Sequence, residues 1–378
     1  MKTKRYTAES VTQGHPDKLC DLIADAVLDE CLMEDEYARV ACEVMCMKDK
    51  IIIGGEISST AEPDIERIAL QAVSAVGYDP NGYEVEVRVN RQSPDIAQCV
   101  DNDDPDNAGA GDQGVMYGYA TNETEEMLPL PCVLAHRITQ LLMVSRVDNA
   151  IEGLLPDGKA QVTVEYQDDI PVRVSSVVVS TQHEESKDIE QLRHEIRSIL
   201  LPAAFNDFPL DKDSKVLINP SGRFVIGGPE ADTGLTGRKL MVDTYGGFIP
   251  HGGGAFSGKD CSKVDRSGAY MARYIAKNIV AAGIASRCLV TLAYAIGIAE
   301  PVDISVETFG EKVFADSLIE EAVKAVFDCR PAMIREQLGL YLPIYTDTTN
   351  FGHFGKEELP WEDTDKAYDL LRYLHARL

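Results

Sequence analysis

The chain has 378 residues, 44% of them hydrophobic and 26% charged, with 29 Gly and 18 Pro, which excludes a disordered, collagenous or membrane-spanning protein. At roughly 100–200 residues per domain it has room for about two or three domains, each with its own core, so a single small module is excluded as well. The 62 acidic residues against 36 basic ones give a net charge of -26 and a pI near 4.6, which repels nucleic acid and anionic membrane at long range.

From Pro16 the apolar positions Leu19, Leu22, Ile23, Ala26 and Val27 recur at helical spacing and predict a helix to about Leu32. Val40–Met47 and Ile51–Ile57 then read as a hairpin, Ile65–Val76 as an amphipathic helix closed by Gly77, and Glu84–Val89 as a strand. The same order returns as helix Leu134–Val147, strands Ala160–Tyr166 and Val172–Ser180, helix Ile189–Leu200 and strand Lys215–Asn219. It returns a third time, less completely, as helix Arg266–Ala282, strands Cys288–Tyr294 and Ile304–Phe309, and helix Asp316–Phe327. A period above about 100 residues means domain triplication rather than a solenoid. The expected fold is therefore of the α/β (α+β) type: three pseudo-symmetric α/β domains, at 1–97, 106–224 and 225–378, each a mixed sheet with helices on one face.

The nine cysteines are odd in number, scattered and without a C-x-x-C pair, which points to reduced thiols rather than a disulfide framework or zinc. The N-terminal segment MKTKRYTAESVTQGHPDK carries no apolar leader, and no run of about 18 uncharged apolar residues occurs. These features read as a cytoplasmic protein with no membrane and no nucleic-acid partner.

Chemistry is expected in the aperiodic Gly-, Asp- and Asn-rich stretches 92–113, 219–236 and 245–263. In His251–Asp260, Gly253, Gly258 and Lys259 match the G-x-x-x-x-G-K part of a phosphate loop, but Asp260 replaces the metal-binding Ser/Thr. A phosphate cradle of another kind, a flexible structural turn and an ordinary P-loop stay open at this point. Arg223, Arg238, Lys239, Lys259, Lys263 and Arg266 concentrate basic charge around these loops, against the acidic background, with Asp232, Asp243, Asp260 and Asp265 beside them as candidate Mg²⁺ carboxylates. Gly14–Lys18 places an imidazole and a carboxylate at the start of the first helix, where free N–H groups attract anions; a plain helix cap with a dipole-compensating Asp stays open at this point. Gly109–Gly114 offers a Gly-rich turn with Asp112, and Gln92–Asn107 reads as a lid, with a solvated acidic linker over Asp101–Asp106 as the alternative. Asp101, Asp103 and Asp112 fit an EF-hand poorly, since Asp106 stands where Gly is required. No G-x-S-x-G, H-E-x-x-H or kinase set occurs.

Taken together, Gly14–Lys18, Gly109–Gly114 with Tyr117–Glu123, Gly222–Gly228, Gly234–Lys239, Asp243–Gly247 and His251–Arg266 resemble the S-adenosylmethionine synthetase (methionine adenosyltransferase) family over practically the whole chain. The resemblance implies three pseudo-symmetric domains and synthesis of S-adenosylmethionine from ATP and L-methionine. The intact triphosphate is displaced at ribose C5′ and then hydrolysed to pyrophosphate and phosphate.

Carried over by motif, His15 contacts the triphosphate; Asp17 and Asp265 hold magnesium, two ions per site, and Glu43 holds potassium. Arg238, Lys239, Lys259 and Lys263 surround the phosphates and methionine. Asp157, Lys159, Arg223, Phe224, Asp232 and Ala255 match nucleotide contacts, and Glu56, Gln92, Asp232 and Lys263 methionine contacts. Asp112 falls in a further active-site motif. Cys99, Asn102 and Glu230-Ala231 depart from the pattern. The resemblance also implies an active site between subunits, in a homodimer or homotetramer.

Overall fold

The computed structural model describes residues 3–91, 107–310 and 312–377. Gln92, Cys99, Asn102 and all of the expected lid except Asn107 lie outside the described residues.

Three stretches of chain repeat one order. The first runs β1 (Thr3–Val11), α1 (Pro16–Glu34), β2 (Arg39–Cys46), β3 (Lys50–Ser58), α2 (Ile65–Val76) and β4 (Glu84–Asn90). The second runs β5 (Gly114–Thr121), α3 (Leu130–Val147), β6 (Leu154–Gln167), β7 (Ile170–His183), α4 (Ile189–Glu195) and β8 (Lys215–Ile218). The third runs β9 (Gly234–Leu235), the short α5 (Leu240–Asp243), α6 (Val264–Ala281), β10 (Arg287–Tyr294), β11 (Asp303–Glu307) and α7 (Asp316–Val326), followed by α8 (Pro331–Gln337) and α9 (Ala367–His375).

Local chemistry sets the helix ends. His15 caps α1 with Pro16 in its first turn, and Asp64 caps α2 by accepting the Arg67 N–H at 3.1 Å. The expected continuous helix Ile189–Leu200 instead passes from α4 into a π turn over Ile196–Leu200. Pro202 cannot donate to the carbonyl four residues back, which favours the wider turn.

Each stretch sends its first strand to another stretch's sheet. The sheets are β4-β3-β2-β9, β1-β6-β7-β8 and β11-β10-β5. Thus β1 of the first stretch pairs antiparallel with β6 of the second, from Thr3↔Gln167 to Val11↔Lys159. In turn β5 of the second pairs with β10 of the third, and β9 of the third pairs with β2 of the first. The parallel strands β4 and β8 make two of the sheets mixed, whereas the pairs of the third are antiparallel.

Alternation puts Val40, Cys42, Val44 and Cys46 of β2 against the Leu19–Val27 face of α1 and leaves Glu43 on the other side of the sheet. One apolar cluster runs from Leu19 through the third stretch to Trp361, and a second fills the central stretch. None of the described cysteines is in a disulfide, and most are buried.

Candidate active site

A first group of expected site residues gathers at the N-terminus of α1. His15 accepts the Asp17 backbone N–H on Nδ1 at 3.2 Å. Burial, reinforced by the Lys239 ammonium, pushes its pKa down to about 3, so the neutral ring carries its proton on Nε2 as a donor. Asp17 accepts the Leu235 N–H at 2.9 Å and the Lys239 ammonium. Burial pushes the Asp17 carboxyl up, but these partners outweigh it and hold the group below its ordinary value.

Lys159, on β6 opposite Val11, pairs with Glu9 at 2.5 Å and bears electrostatically on His15. Asp157 is pushed up to about 6 by burial although it accepts the Gly228 N–H at 2.8 Å. Gly228 in turn accepts the Asp232 N–H at 3.2 Å, which links the two carboxylate residues. The Phe224 carbonyl accepts the His183 backbone N–H at 2.9 Å and the Phe224 N–H donates to the His183 ring Nε2 at 3.1 Å, and the exposed Arg223 pairs with Glu185 at 2.6 Å. Arg238, next to Lys239, is exposed and makes no hydrogen bond or ion pair among the described residues.

A second group forms where the Gly-rich loop enters α6. Lys259 donates to Asp265 at 2.7 Å, and Lys263, the α6 N-cap residue, pairs with Asp260. Glu43 lies close enough to Lys259 and Glu56 for both to act on it; burial raises its pKa and Lys259 opposes that. Asp112 is exposed and follows Gly111, whose N–H donates to the Ser262 carbonyl at 3.3 Å. Gly254 presses on Asp265, since a Cβ there would lie 2.1 Å from Oδ1. Ala255 abuts Gly237 of the Arg238 loop. Among the described residues no hydrogen bond or ion pair joins the two groups.

Three residues suggested as phosphate or metal contacts serve the interior instead. Arg266 is 1% exposed and forms a bidentate pair with Asp25 at 2.7 and 2.8 Å. Asp260 is buried and accepts the Val40 and Ser262 N–H groups, and Asp243 is buried against Lys18. The loop 245–263 also runs into α6 without a preceding strand, which excludes the ordinary P-loop arrangement. Sequence reasoning missed Asp21, Asp25 and Asp29, which continue from Asp17 at every fourth position of α1 and are buried. The signal was available: three more carboxylates on the face of a helix whose other residues are largely apolar.

Models of one family match nearly the whole chain, with the N-terminal domain at residues 3–101, the central domain at 107–224 and the C-terminal domain at 226–363. The chain belongs to the S-adenosylmethionine synthetase family. The S-adenosylmethionine synthase of Finegoldia magna is 47% identical over 99% of this chain and 100% of its own. Those of two Thermus thermophilus strains are 51% identical over 97% of both chains. The three domains of the family coincide with the three repeated stretches of the fold. As a member of the S-adenosylmethionine synthetase family, the chain is an α/β protein and a methionine adenosyltransferase, a transferase that makes S-adenosylmethionine. No helix among the described residues is long and apolar enough to cross a membrane.

Proposed function

We propose that this chain forms S-adenosyl-L-methionine from ATP and L-methionine by displacing the intact triphosphate at ribose C5′, then hydrolyses the triphosphate to pyrophosphate and phosphate. Methionine sulfur is a neutral nucleophile with no proton to lose, so the displacement needs no general base. Catalysis comes from alignment and from donors aimed at the departing triphosphate oxygen. The observation that carries this reading is the α1 N-terminus: a neutral His15 with an Nε2–H donor, the Asp17–Lys239 pair and the exposed Arg238 form a positively polarised corner in an acidic protein.

In this reading His15, Arg238, Lys239, Lys259 and Lys263 act on the phosphates, with Lys263 also on methionine. Asp157, Lys159, Arg223, Phe224, Asp232 and Ala255 bind the nucleotide, with Phe224 stacked on adenine. Glu56, Asp232 and Gln92 receive methionine, a carboxylate being the natural partner of its ammonium, and Asp112 completes the site. Asp17 and Asp265 would each hold a Mg²⁺ ion and Glu43 a K⁺ ion. Among the described residues no three His, Cys, Asp or Glu side chains are arranged to hold a metal ion by themselves. That suits magnesium, which takes one or two carboxylates together with substrate phosphates rather than an all-protein cage. Bound there, the metal supplies charge neutralisation to the triphosphate.

The absence, among the described residues, of a hydrogen bond or ion pair between the two groups of charged residues favours a site completed by a second copy of the chain, in a cytoplasmic homodimer or homotetramer. Half-exposed apolar residues such as Val87, Val115, Met241, Ile296 and Ile298 are available for such contact. The domain division at 1–97, 106–224 and 225–378 belongs to the same proposal. The test is incubation with ATP, methionine, Mg²⁺ and K⁺, with mass spectrometry for S-adenosylmethionine and assays for phosphate and pyrophosphate. Product formation that ceases in EDTA is expected; full turnover in EDTA, or transfer of the γ-phosphate to an acceptor, contradicts the proposal.

A further inference from the structure

The carboxylates of α1 receive backbone N–H groups from three segments, 235–237, the Gly258 loop and 345–346. Asp17 takes Leu235 at 2.9 Å, Asp21 takes Gly237 at 2.9 Å, and Asp25 takes Gly258 at 2.8 Å. Asp29 takes Tyr345 at 3.0 Å and Thr346 at 2.7 Å. Spacing of four residues keeps them on one side of the helix, each step about 6 Å along the axis. Asp21 and Asp25 are fully buried, so neither can touch a substrate. A core carboxylate is costly unless paired; Asp21 pairs with the buried Lys18 at 2.9 Å and Asp25 with Arg266 at 2.7 Å, and each also accepts an amide adjoining a cationic residue, since Gly237 precedes Arg238 and Lys239 and Gly258 precedes Lys259.

The Lys259 segment is held on both sides. Asp25 takes the Gly258 N–H, and Arg266, itself bound to Asp25, donates to the Lys259 carbonyl at 3.1 Å. Arg266 also receives support from Tyr270 and Thr348, at 2.9 and 3.0 Å. Gly258 has φ +79°, and a Cβ there would lie 2.0 Å from the Cys42 carbonyl oxygen, so this backbone has little room to shift.

We propose that Asp21 and Asp25 are positioning residues for the adenosyl-transfer site: from within α1, Asp21 fixes the Arg238–Lys239 loop and Asp25 the Lys259 loop, each in the half-site that its copy of the chain supplies. The claim rests on the reading that these loops face the triphosphate, and it separates from it experimentally. Asp29 supplies the control, because its loop at 345–346 carries no proposed substrate contact.

The experiment measures kcat, the KM for each substrate and Tm for Asp21→Ala, Asp21→Asn, Asp25→Asn and Asp29→Ala. Misplacement of about 1 Å can cost up to about a hundredfold in rate. Asp21→Ala is therefore expected to lower kcat at least about tenfold with the methionine KM little changed. Asp21→Asn keeps an acceptor for the Gly237 N–H and is expected to recover activity to within about threefold of the parent. Asp29→Ala should lose Tm comparably while keeping kcat. The proposal is overturned if Asp21→Ala keeps parental kcat, or if Asp29→Ala loses as much kcat as Asp21→Ala. Should Asp25→Asn not fold, because Arg266 is left buried with a neutral partner, the Asp21 and Asp29 variants decide. A parent chain that makes no S-adenosylmethionine would instead refute the functional reading.

Discussion

Burial and the neighbouring Lys239 keep His15 neutral to about pH 3, while the Asp17 N–H fixes its tautomer. A nitrogen-15 NMR titration is expected to show a neutral ring with the proton on Nε2 at pH 5; protonation near pH 6 would contradict this. The unfolded imidazole gains a proton below about pH 6.5 and the folded one does not, so this contribution is complete above that value and is lost as pH falls toward 3. Lys259, held by Asp265, is expected to act on the triphosphate, and Lys259→Ala should lower turnover about a hundredfold or more in a folded protein. Near-parental turnover would make the loop merely structural. At this scale the sequence announces His15, Asp17 and Lys259 because they stand in Gly-rich, charge-dense segments. It hides the role of Arg266, which looks like another phosphate contact until its burial against Asp25 is seen. Nothing local in sequence distinguishes a lysine facing outward from an arginine facing the core.

Helix α1 carries His15 at its N-terminus and anchors two loops, through Asp21 to Gly237 and through Asp25 to Gly258. Its cap, its Pro16 and its apolar spacing were legible, and so were the hairpins β2–β3 and β6–β7, because their periods are clear. The strands β1, β5 and β9 were not read as partners of the sheets they join. β1 carries the polar run Thr3–Ser10, and β9 has only two residues, so neither shows a period. What places them is pairing with distant strands, a tertiary effect. The contact of α1 and β2 with the Lys259 loop also makes a prediction. Gly258→Ala forces a Cβ onto the Cys42 carbonyl at positive φ, and a loss of at least about 2 kcal/mol is expected by denaturant unfolding. An unchanged midpoint would show that the loop can move away from β2.

Across the molecule, the exchange of first strands runs in a circle: first stretch to second sheet, second to third, third to first. The triplication was visible in the order of elements, but the circle was not, because sequence order says nothing about which strand pairs across stretches. Its consequence is cooperativity. Residues 107–224 expressed alone lack β1, which leaves the β6 edge unpaired, and they are expected to give a poorly dispersed amide NMR spectrum, whereas the full chain should unfold in one transition. A well-dispersed spectrum for that fragment would mean the exchanged strands are dispensable.

The central claim is that each reaction centre joins the His15 group of one copy to the Lys259 group of another. Coexpression of His15→Ala chains with Lys259→Ala chains tests it most directly, since each variant alone is expected to be nearly inactive. In a hybrid dimer one site collects both changes and the other collects neither. With half the dimers hybrid, the mixture should regain about a quarter of parental S-adenosylmethionine synthesis. Hybrids verified by mass spectrometry that stay as inactive as either variant alone would contradict the account.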